Sequence, residues 1–478
     1  KKEFNKLIEN SFSFEDLSKW LKDNLSMGSI DVNIMTKVDK VNYFKKDKLP
    51  SEFNDAHAGL RGYARSNLAS SVIFSAGMNP RLYGYISNFD DFFPLQNGYI
   101  KKKIILKVSD FRSAVIQGKF LAKKGLWVSE YRIESGLNCG GHAFATDGYL
   151  MGPILAEFRD KRQELIDEIY SVCKSALQTS GKVVPDNQLS VKITAQGGVA
   201  TSEEHNFLID HYNLDVVGWG TPFLLVPEAT TVDSKTRKQL QEAKEKDLYL
   251  SNISPLGVPF NTLKNSTKDI EKFEKIKEGR PGSPCPRKFL ALSNEYGTEG
   301  VCTASRLFQK NKIEELGMSE DITEKACLCM GLAATAVINY DVNTRESKGV
   351  SICPGPNMAY FSKELTLSEM ANHIYNDADG VVRSDRPNMF VNELSMYLKL
   401  LSEKIEEHKL SWGRASEKKL TNFADNLNNG IDYYFEMFNN VDNTFNDIKK
   451  SVLDSLDSAM HHMHNMQNDI SDLIKKNH

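Results

Sequence analysis

Up to about Lys235, short apolar runs rich in β-formers alternate with longer stretches of helical period. The runs are DVNIMTKV (Asp31–Val38), SVIFSAG (Ser71–Gly77), KIILKVSD (Lys103–Asp110), LWVSEYRI (Leu126–Ile133), LSVKITAQGG (Leu189–Gly198) and DVVGWG (Asp215–Gly220). Between the fourth and fifth lies GPILAEFRDKRQELIDEIYSVCKSAL, whose apolar residues recur at three- and four-residue spacing and predict one strong helix. After the fifth comes TSEEHNFLIDHYN, where Thr201 or Ser202 can cap a helix with Glu204 in its first turn. Near-continuous apolar strands alternating with helices predict a parallel sheet covered by helices. The runs end in small or polar residues: TKVD, SAGMNP, KVSD, SGLNCGG, QGGV and GWGT. That is the expected form of a (β/α)8 TIM-type barrel, whose chemistry collects at the C-terminal strand ends. Strand counting leaves an open doubly wound sheet as the alternative.

From about Pro227 the pattern loosens. DSKTRKQLQEAKEKD reads as a solvated helix, and KNSTKDIEKFEKIKEGRPGSPCPRK is charged and then rich in Pro and Gly. Residues 236–355 are therefore expected to be an irregular, cysteine-containing excursion within a barrel domain spanning 1–390. Residues 391–478 are expected to form a helical extension. Within it Val441, Phe445, Ile448, Val452, Leu456, Met460, Met463, Met466, Ile470 and Leu473 recur every three or four residues. The stripe drifts against a strict heptad, so its period is that of a plain helix. It must lie on something, either the barrel or another copy of the chain.

Composition changes this picture little. Forty per cent hydrophobic and 26% charged residues are ordinary for a globular protein, and a net charge of −3 carries no signature of nucleic-acid binding. The longest uncharged apolar run, MGLAATAVI (Met330–Ile338), is about half of a membrane span. KKEFNKLIENSFSFEDLSKWLKDNL has acidic residues and no apolar core, so it is not a secretory signal. It lacks an initiator Met, so a start further upstream is expected. Seven cysteines without export signals read as thiols or metal ligands, and a cytoplasmic protein is expected.

The candidate chemistry starts at RIESGLNCGGHAFATDG, Arg132 to Gly148. A glycine pair at a parallel strand end lets backbone N–H groups approach an anion or a planar ring, or simply makes a tight turn. KITAQGGVATSEEHNF places Gln196, Gly197 and Gly198 just before a capped helix, an arrangement suited to phosphate. One unit later LDVVGWGTPFLL brings Gly218, Gly220 and Thr221 to the next strand end. In barrels phosphates commonly bind between two such consecutive loops.

IILKVS, IESGLNCGGHAF, GPILAEFRDKRQEL, AQGGVATSEE and DVVGWGTPFLL, from Lys103 to about Thr231, together resemble the FMN-binding barrel of glutamate synthase. The resemblance implies a flavin-dependent oxidoreductase. It implies Lys107 beside the ring, where a cation stabilises reduced flavin. Ser135, Gly140 and Gly141 would approach the cofactor, and Gln196, Gly197, Gly198, Gly218, Gly220 and Thr221 would hold the FMN phosphate. The chain departs from the family in having His142 at a glycine-rich position and Cys139 where an acidic residue is usual. The family's amidotransferase cysteine is also missing, so glutamate synthesis is not carried over. Cys139 and His142 are candidates to protonate a substrate. Glu130 and Glu134 share a strand face with Arg132, for acid–base work or a structural ion pair.

Five cysteines fall between residues 285 and 353, and Cys285 and Cys353 are each followed by proline, a neighbour seen at iron–sulfur ligands. Cys285, Cys302, Cys329 and Cys353 are the candidate ligands of an iron–sulfur cluster, such as glutamate synthase carries after its barrel. There is no CxxC pair, and buried inert thiols in the helix ACLCMGLAATAVI are the plain alternative. His461 and His464 in HHMH lack a third ligand nearby. Arg81 in NPRLYGY could bind an anion at the second strand end. The expected protein is thus an FMN oxidoreductase acting on a small molecule. An electron-donor protein and self-association through the terminal helix are its expected partners, without nucleic acid or a membrane span. Two rivals stand beside it. One is a barrel scaffold without activity, and the other a cofactor-free barrel enzyme on a phosphorylated substrate with Lys107 as base or Schiff-base former.

Overall fold

A computed structural model describes residues 13–24, 28–75, 77–343, 349–376, 378, 380–410, 413–441 and 445–477. Ala76, inside the expected second strand end, and most of the N-terminal segment read against a signal lie outside the described residues. All six apolar runs become strands: β1 (Val32–Met35), β2 (Ser71–Ser75), β3 (Lys103–Val108), β4 (Val128–Glu134), β5 (Lys192–Gln196) and β6 (Val216–Gly218). Neighbours pair in parallel, and the order across the sheet is the order along the chain.

That order lacks the reversal of a doubly wound sheet. Among the described residues the sheet has six of the eight strands of the expected barrel, with β1 and β6 at its edges. The βα rhythm stops at Gly218. Thr221–Leu225, with Pro222 in its first turn, forms a 3-10 turn. The next strands, β7 (Leu248–Ser251) and β8 (Phe260–Leu263), pair antiparallel with each other. The connection over residues 252–259 is too short for a parallel crossover, so a hairpin results.

The helices that cover the sheet and frame its open end are α1 (Phe111–Ala122), α2 (Met151–Asp160), α3 (Arg162–Thr179), α4 (Ser202–Tyr212), α5 (Leu328–Asn339), α6 (Met389–Leu410), α7 (Arg414–Asn440) and α8 (Asn446–Asn477). The single helix expected after β4 is broken at Lys161, whose backbone leaves the helical region. The break lets Arg162 reach the Asn213 and Val191 carbonyls at 3.1 and 2.8 Å and Asp215 at 2.7 Å.

Period-two alternation sorts the sheet into two faces. Leu106, Val108, Tyr131, Ile133, Ile193 and Ala195 face the helices and belong to one continuous core. Ile105, Lys107, Glu130, Arg132, Glu134, Thr194 and Gln196 share the opposite face through their register partners. An extra residue, Ser129, shifts the register between Ile104 and Ile105, so Val128 joins the helix-facing core although it stands two residues before Glu130.

The C-terminal helices are not an appendage to this core. Helices α6, α7 and α8 pack on one another and α7 packs on α2. Phe445, Val452, Leu456, Met463, Met466 and Ile470 of the sequence stripe are buried in the same core as the sheet's helices. Met460 is the exception at 42% exposed, and Ala459 takes the inward position instead. His461, His462 and His464 lie on the exposed face of α8.

One close approach on the covered face makes a direct test. A Cβ on Gly118 in α1 would overlap Tyr131 Oη and stand 2.5 Å from Ile169 Cδ1. Helix propensity alone would favour alanine over glycine by about 1 kcal/mol. Overpacking a rigid ring outweighs it, so Gly118→Ala is expected to destabilise the fold by about 1–3 kcal/mol in chemical denaturation. Combining it with Tyr131→Phe, which deletes the overlapping oxygen, should restore part of the loss.

Candidate functional site

The polar face of the sheet opens at its C-terminal end into a cavity of about 450 Å³. Its walls include Lys107 from β3, Arg132 and Glu134 from β4, Thr194 and Gln196 from β5, and Gly218 from β6. These side chains are tied into two sets. Lys107 Nζ pairs with Glu134 Oε1 at 2.7 Å, and Gln196 Nε2 donates to the same oxygen at 2.8 Å. Arg132 donates to Glu130 Oε1 at 2.7 and 2.9 Å, and Thr194 Oγ1 donates to it at 2.8 Å. Glu130 is therefore the structural ion-pair partner of Arg132, whereas Glu134 orients Lys107.

The loop over residues 135–142 forms the cavity's next wall, and it is pinned from three sides. Ser135 N–H donates to the Gln196 carbonyl at 3.1 Å, which continues the ladder past the strand end. Ser135 Oγ donates to Glu393 Oε1 of α6 at 2.6 Å and accepts from Asn138 N–H at 3.2 Å. From the excursion, Asn261 Nδ2 donates to the Cys139 carbonyl at 2.7 Å, and Gly141 N–H donates to the Cys353 carbonyl at 3.1 Å. Gly140 has no room for a side chain, since a Cβ would stand 2.5 Å from the Cys353 carbonyl oxygen. Gly141 is a different case: its φ of +82° is the requirement, with open space around it.

A second cavity, about 210 Å³, lies on the other side of this wall. Lys37, Ser109, Ser113, His142 and Phe144 line it, and it shares Lys107, Glu134 and Cys139 with the first. The three candidate catalytic residues therefore meet at one place, with Lys107 and Cys139 between the cavities and His142 beyond them. Burial, with the Glu134 carboxylate second, pushes the Cys139 thiol well up, so it is a neutral thiol. Burial and the Lys37 ammonium push His142 down, leaving a neutral imidazole with Nε2 2.7 Å from Ser254 Oγ.

The glycines expected to hold a phosphate divide. Gly197, Gly198, Gly218, Gly220 and Thr221 all line the larger cavity. Gly197 (φ +114°) and Gly198 (φ +88°) take positive φ and press on Cys139 and Asn138. Gly220 meets nothing within 4 Å where a Cβ would stand. Thr221 Oγ1 accepts from Gly355 N–H at 3.0 Å. The start of α4, however, is not the free anion site its sequence suggests. Thr201 Oγ1 accepts from Glu204 N–H at 3.1 Å, and Glu204 Oε2 accepts from Ala200 N–H at 2.9 Å. Arg386 neutralises Glu204 at 2.7 Å and also donates to the Gly198 carbonyl. A resident carboxylate already occupies that helix end. Arg81 is exposed and lines neither cavity.

Three of the four candidate cluster ligands come together and one stands apart. Cys285, Cys302 and Cys329 share one small apolar cluster, whereas Cys353 packs in another with Ile253, Phe260, Ala326 and Leu328. Among the described residues no group of three or more His, Cys, Asp and Glu side chains is placed to hold a metal ion. Cys353 is thus separated from Cys285, Cys302 and Cys329.

In comparisons with protein-family models and with curated proteins, nothing matches this chain. Among solved structures, the chain is similar at 13% identity to the enoyl reductase domain of MlnA from the macrolactin biosynthesis cluster of Bacillus amyloliquefaciens. The match covers 88% of this chain and 86% of that one, with a TM-score of 0.36.

Sequence reasoning missed Asn138, Trp219, Asn357 and, above all, Glu393. The signal for Glu393 was present in its helix. It stands three residues after Phe390 and four before Tyr397, on the face that both bury. An acid on an apolar stripe needs partners, and it has them: Ser135 Oγ, Met151 N–H at 2.9 Å and Tyr434 Oη at 3.4 Å. Burial raises its pKa from 4.5 to about 7.

This raised value has a definite sign. Folded Glu393 keeps its proton to higher pH than the unfolded chain does, so stability from it is full below about 4.5 and falls as pH rises towards 7. Glu393→Gln, which mimics the protonated acid, should remove up to about 3 kcal/mol of that slope. Urea denaturation of both proteins at pH 5 and pH 8 measures the difference, and parallel changes would exclude this assignment.

Proposed function

We propose that this chain is an FMN-dependent oxidoreductase built on a barrel-type parallel sheet, related through its strand-end motifs to the FMN-binding barrel of glutamate synthase. The observation that carries the reading is the wall formed by Lys107, Glu134 and Cys139 between two cavities. The larger, at about 450 Å³, falls in the range of cofactor pockets. The smaller, at about 210 Å³, would take the substrate.

The residues present fit the cofactor. Gly197 and Gly198 place bare backbone in the larger cavity, and Gly220 leaves open space where a side chain would project. Gly218 and Thr221 line the same cavity. Bound flavin would supply hydride or electron transfer, chemistry that no side chain performs. Lys107 would supply a cation to the bound flavin, and Glu134, which also accepts from Gln196, holds that ammonium in place. Cys139, a neutral thiol on the shared wall, can donate a proton to substrate. His142, neutral and hydrogen-bonded to Ser254, can receive or relay one from the smaller cavity. Among the described residues no helix is long and apolar enough to cross a membrane. A Schiff-base role for Lys107 is disfavoured, because its ammonium is engaged by Glu134.

The test is anaerobic purification, addition of FMN, removal of free flavin and a visible spectrum before and after dithionite. Retained flavin bands that bleach are expected. A chain that stays colourless and takes up no FMN overturns the proposal. Lys107→Met is expected to leave uptake of oxidised FMN nearly unchanged. It should weaken binding of the reduced form about tenfold, or about 1.4 kcal/mol, read as a lower midpoint potential.

A further inference from the structure

A third cavity, about 240 Å³, lies at the foot of α4, and none of its lining residues lines either of the other two. Glu204 of α4, Asn388 just before α6 and Ile448 of α8 bring three distant parts of the chain to it. Asn388 is only 4% exposed. Its Oδ1 accepts from Phe390 N–H at 3.0 Å, so a backbone donor fixes which end of the amide is oxygen. Its Nδ2 is buried and donates to no group among the described residues. A buried donor without an acceptor is unfavourable, and native structures rarely keep one without a reason. The cavity that Asn388 lines is where such an acceptor can stand.

The walls also say what kind of molecule would bring that acceptor. Two guanidinium groups, Arg383 and Arg386, and two carboxylates, Glu203 and Glu204, line the cavity. Arg386 is bidentate on Glu204 at 2.7 and 3.0 Å, and Arg383 is bidentate on Asp385 at 2.9 and 2.6 Å. Both cations are therefore neutralised by the chain itself, and neither is left to draw an anion. Glu203 Oε1 accepts from Phe445 N–H at 2.7 Å, and a carboxylate has lone pairs for further donors. Val382, Phe445 and Ile448 supply apolar surface. The cavity thus asks for an acceptor oxygen, an N–H and a short apolar body without net charge. A carboxamide carries the oxygen and the N–H on one neutral carbon.

We propose that this cavity is a binding site for a small aliphatic carboxamide, with Asn388 Nδ2 donating to the ligand's carbonyl oxygen. Its volume is below the range of drug-sized ligands, which fits a molecule of a few carbons. The site has a direct neighbour in the larger cavity. Arg386 Nε donates to Asn357 Oδ1 at 2.8 Å, and Nη2 donates to the Gly198 carbonyl at 2.6 Å. Asn357 and Gly198 both line the larger cavity. A ligand held against Arg386 therefore stands behind the glycine wall of that cavity. The proposal stands whether or not the chain binds flavin.

The test titrates the full chain with isobutyramide and, separately, with isobutyrate, its charged isostere, and reads binding from the ligand's proton NMR signals. Saturable binding of isobutyramide is expected, at least tenfold tighter than that of isobutyrate. Asn388→Ser keeps an oxygen to accept from the start of α6 but removes the amide donor. It should weaken isobutyramide binding at least tenfold with an unchanged circular dichroism spectrum. Ile448→Trp, which fills the cavity from α8, should abolish binding by a separate route and keeps the test decisive if the first variant folds poorly. Absence of saturable isobutyramide binding overturns the proposal, and Asn388 would then be served by water alone. Isobutyrate binding as tight as the amide's also overturns it, since the cavity would then be an anion site. So does isobutyramide binding that both variants leave unchanged, which would place the ligand elsewhere.

Discussion

The arrangement depends most on one buried carboxyl. Glu393 reaches from α6 to the loop after β4, to the first backbone N–H of α2 and to Tyr434 of α7. Removing a carboxyl from water is unfavourable unless its oxygens find donors. Here the donors come from three segments distant in sequence, so satisfying one group sets where all three stand. The same tyrosine leaves no spare room beside α2: Gly152 N–H donates to Tyr434 Oη at 3.1 Å, and a side chain on Gly152 would collide with the ring. The C-terminal helices are therefore part of the site's support. Displacing them would release Ser135, and Ser135 begins the wall that separates the two cavities.

A second constraint acts across the polar face. Charged residues inside a sheet are tolerated only when paired and hydrogen-bonded, and a half-satisfied set is worse than an apolar one. Strand register solves this. Lys107 lies opposite Arg132, and Glu134 lies opposite Gln196, so each carboxylate finds its partners on a neighbouring strand or two residues along its own. Glu204 and Arg386 do the same at the foot of α4, where both side chains are nearly inaccessible. The lysine that would face a ligand is held by its neighbours before any ligand arrives, which is what preorganisation requires.

The strands were legible because parallel strands buried on their helix-facing side leave long apolar runs, and all six were recoverable from them. Thr201 as a cap was legible for the same local reason, since a hydroxyl and an acid three residues on satisfy two backbone donors. Closure was not legible. Whether a sequential sheet continues beyond its sixth strand is decided by the segment after that strand. Here Pro222 and the short connection over residues 252–259 turn the chain into a 3-10 turn and a hairpin instead. The helix break at Lys161 also escaped, because both halves keep the helical period and only the partners of Arg162 select the break. At the site, Lys107, Cys139 and His142 were found as strand-end residues. Glu393 and Asn261 were not, since each acts through contacts made more than a hundred residues away.

The excursion then has a structural reason to exist. A loop with three glycines between Gly136 and Gly141 has little side-chain packing of its own to fix it. The β7–β8 hairpin supplies what the loop lacks: Pro259 and Asn261 bond to it on either side of His142, and Phe260 stacks edge-on against the imidazole at 4.8 Å. His142 is thereby turned away from the larger cavity and into the smaller one, leaving Cys139 and Lys107 as the only candidate catalytic side chains of the three that touch both. With Glu134, that pair fronts both cavities. The histidine can act only on what sits in the smaller space, so the hairpin, remote in sequence from every strand end, sets which group would meet substrate.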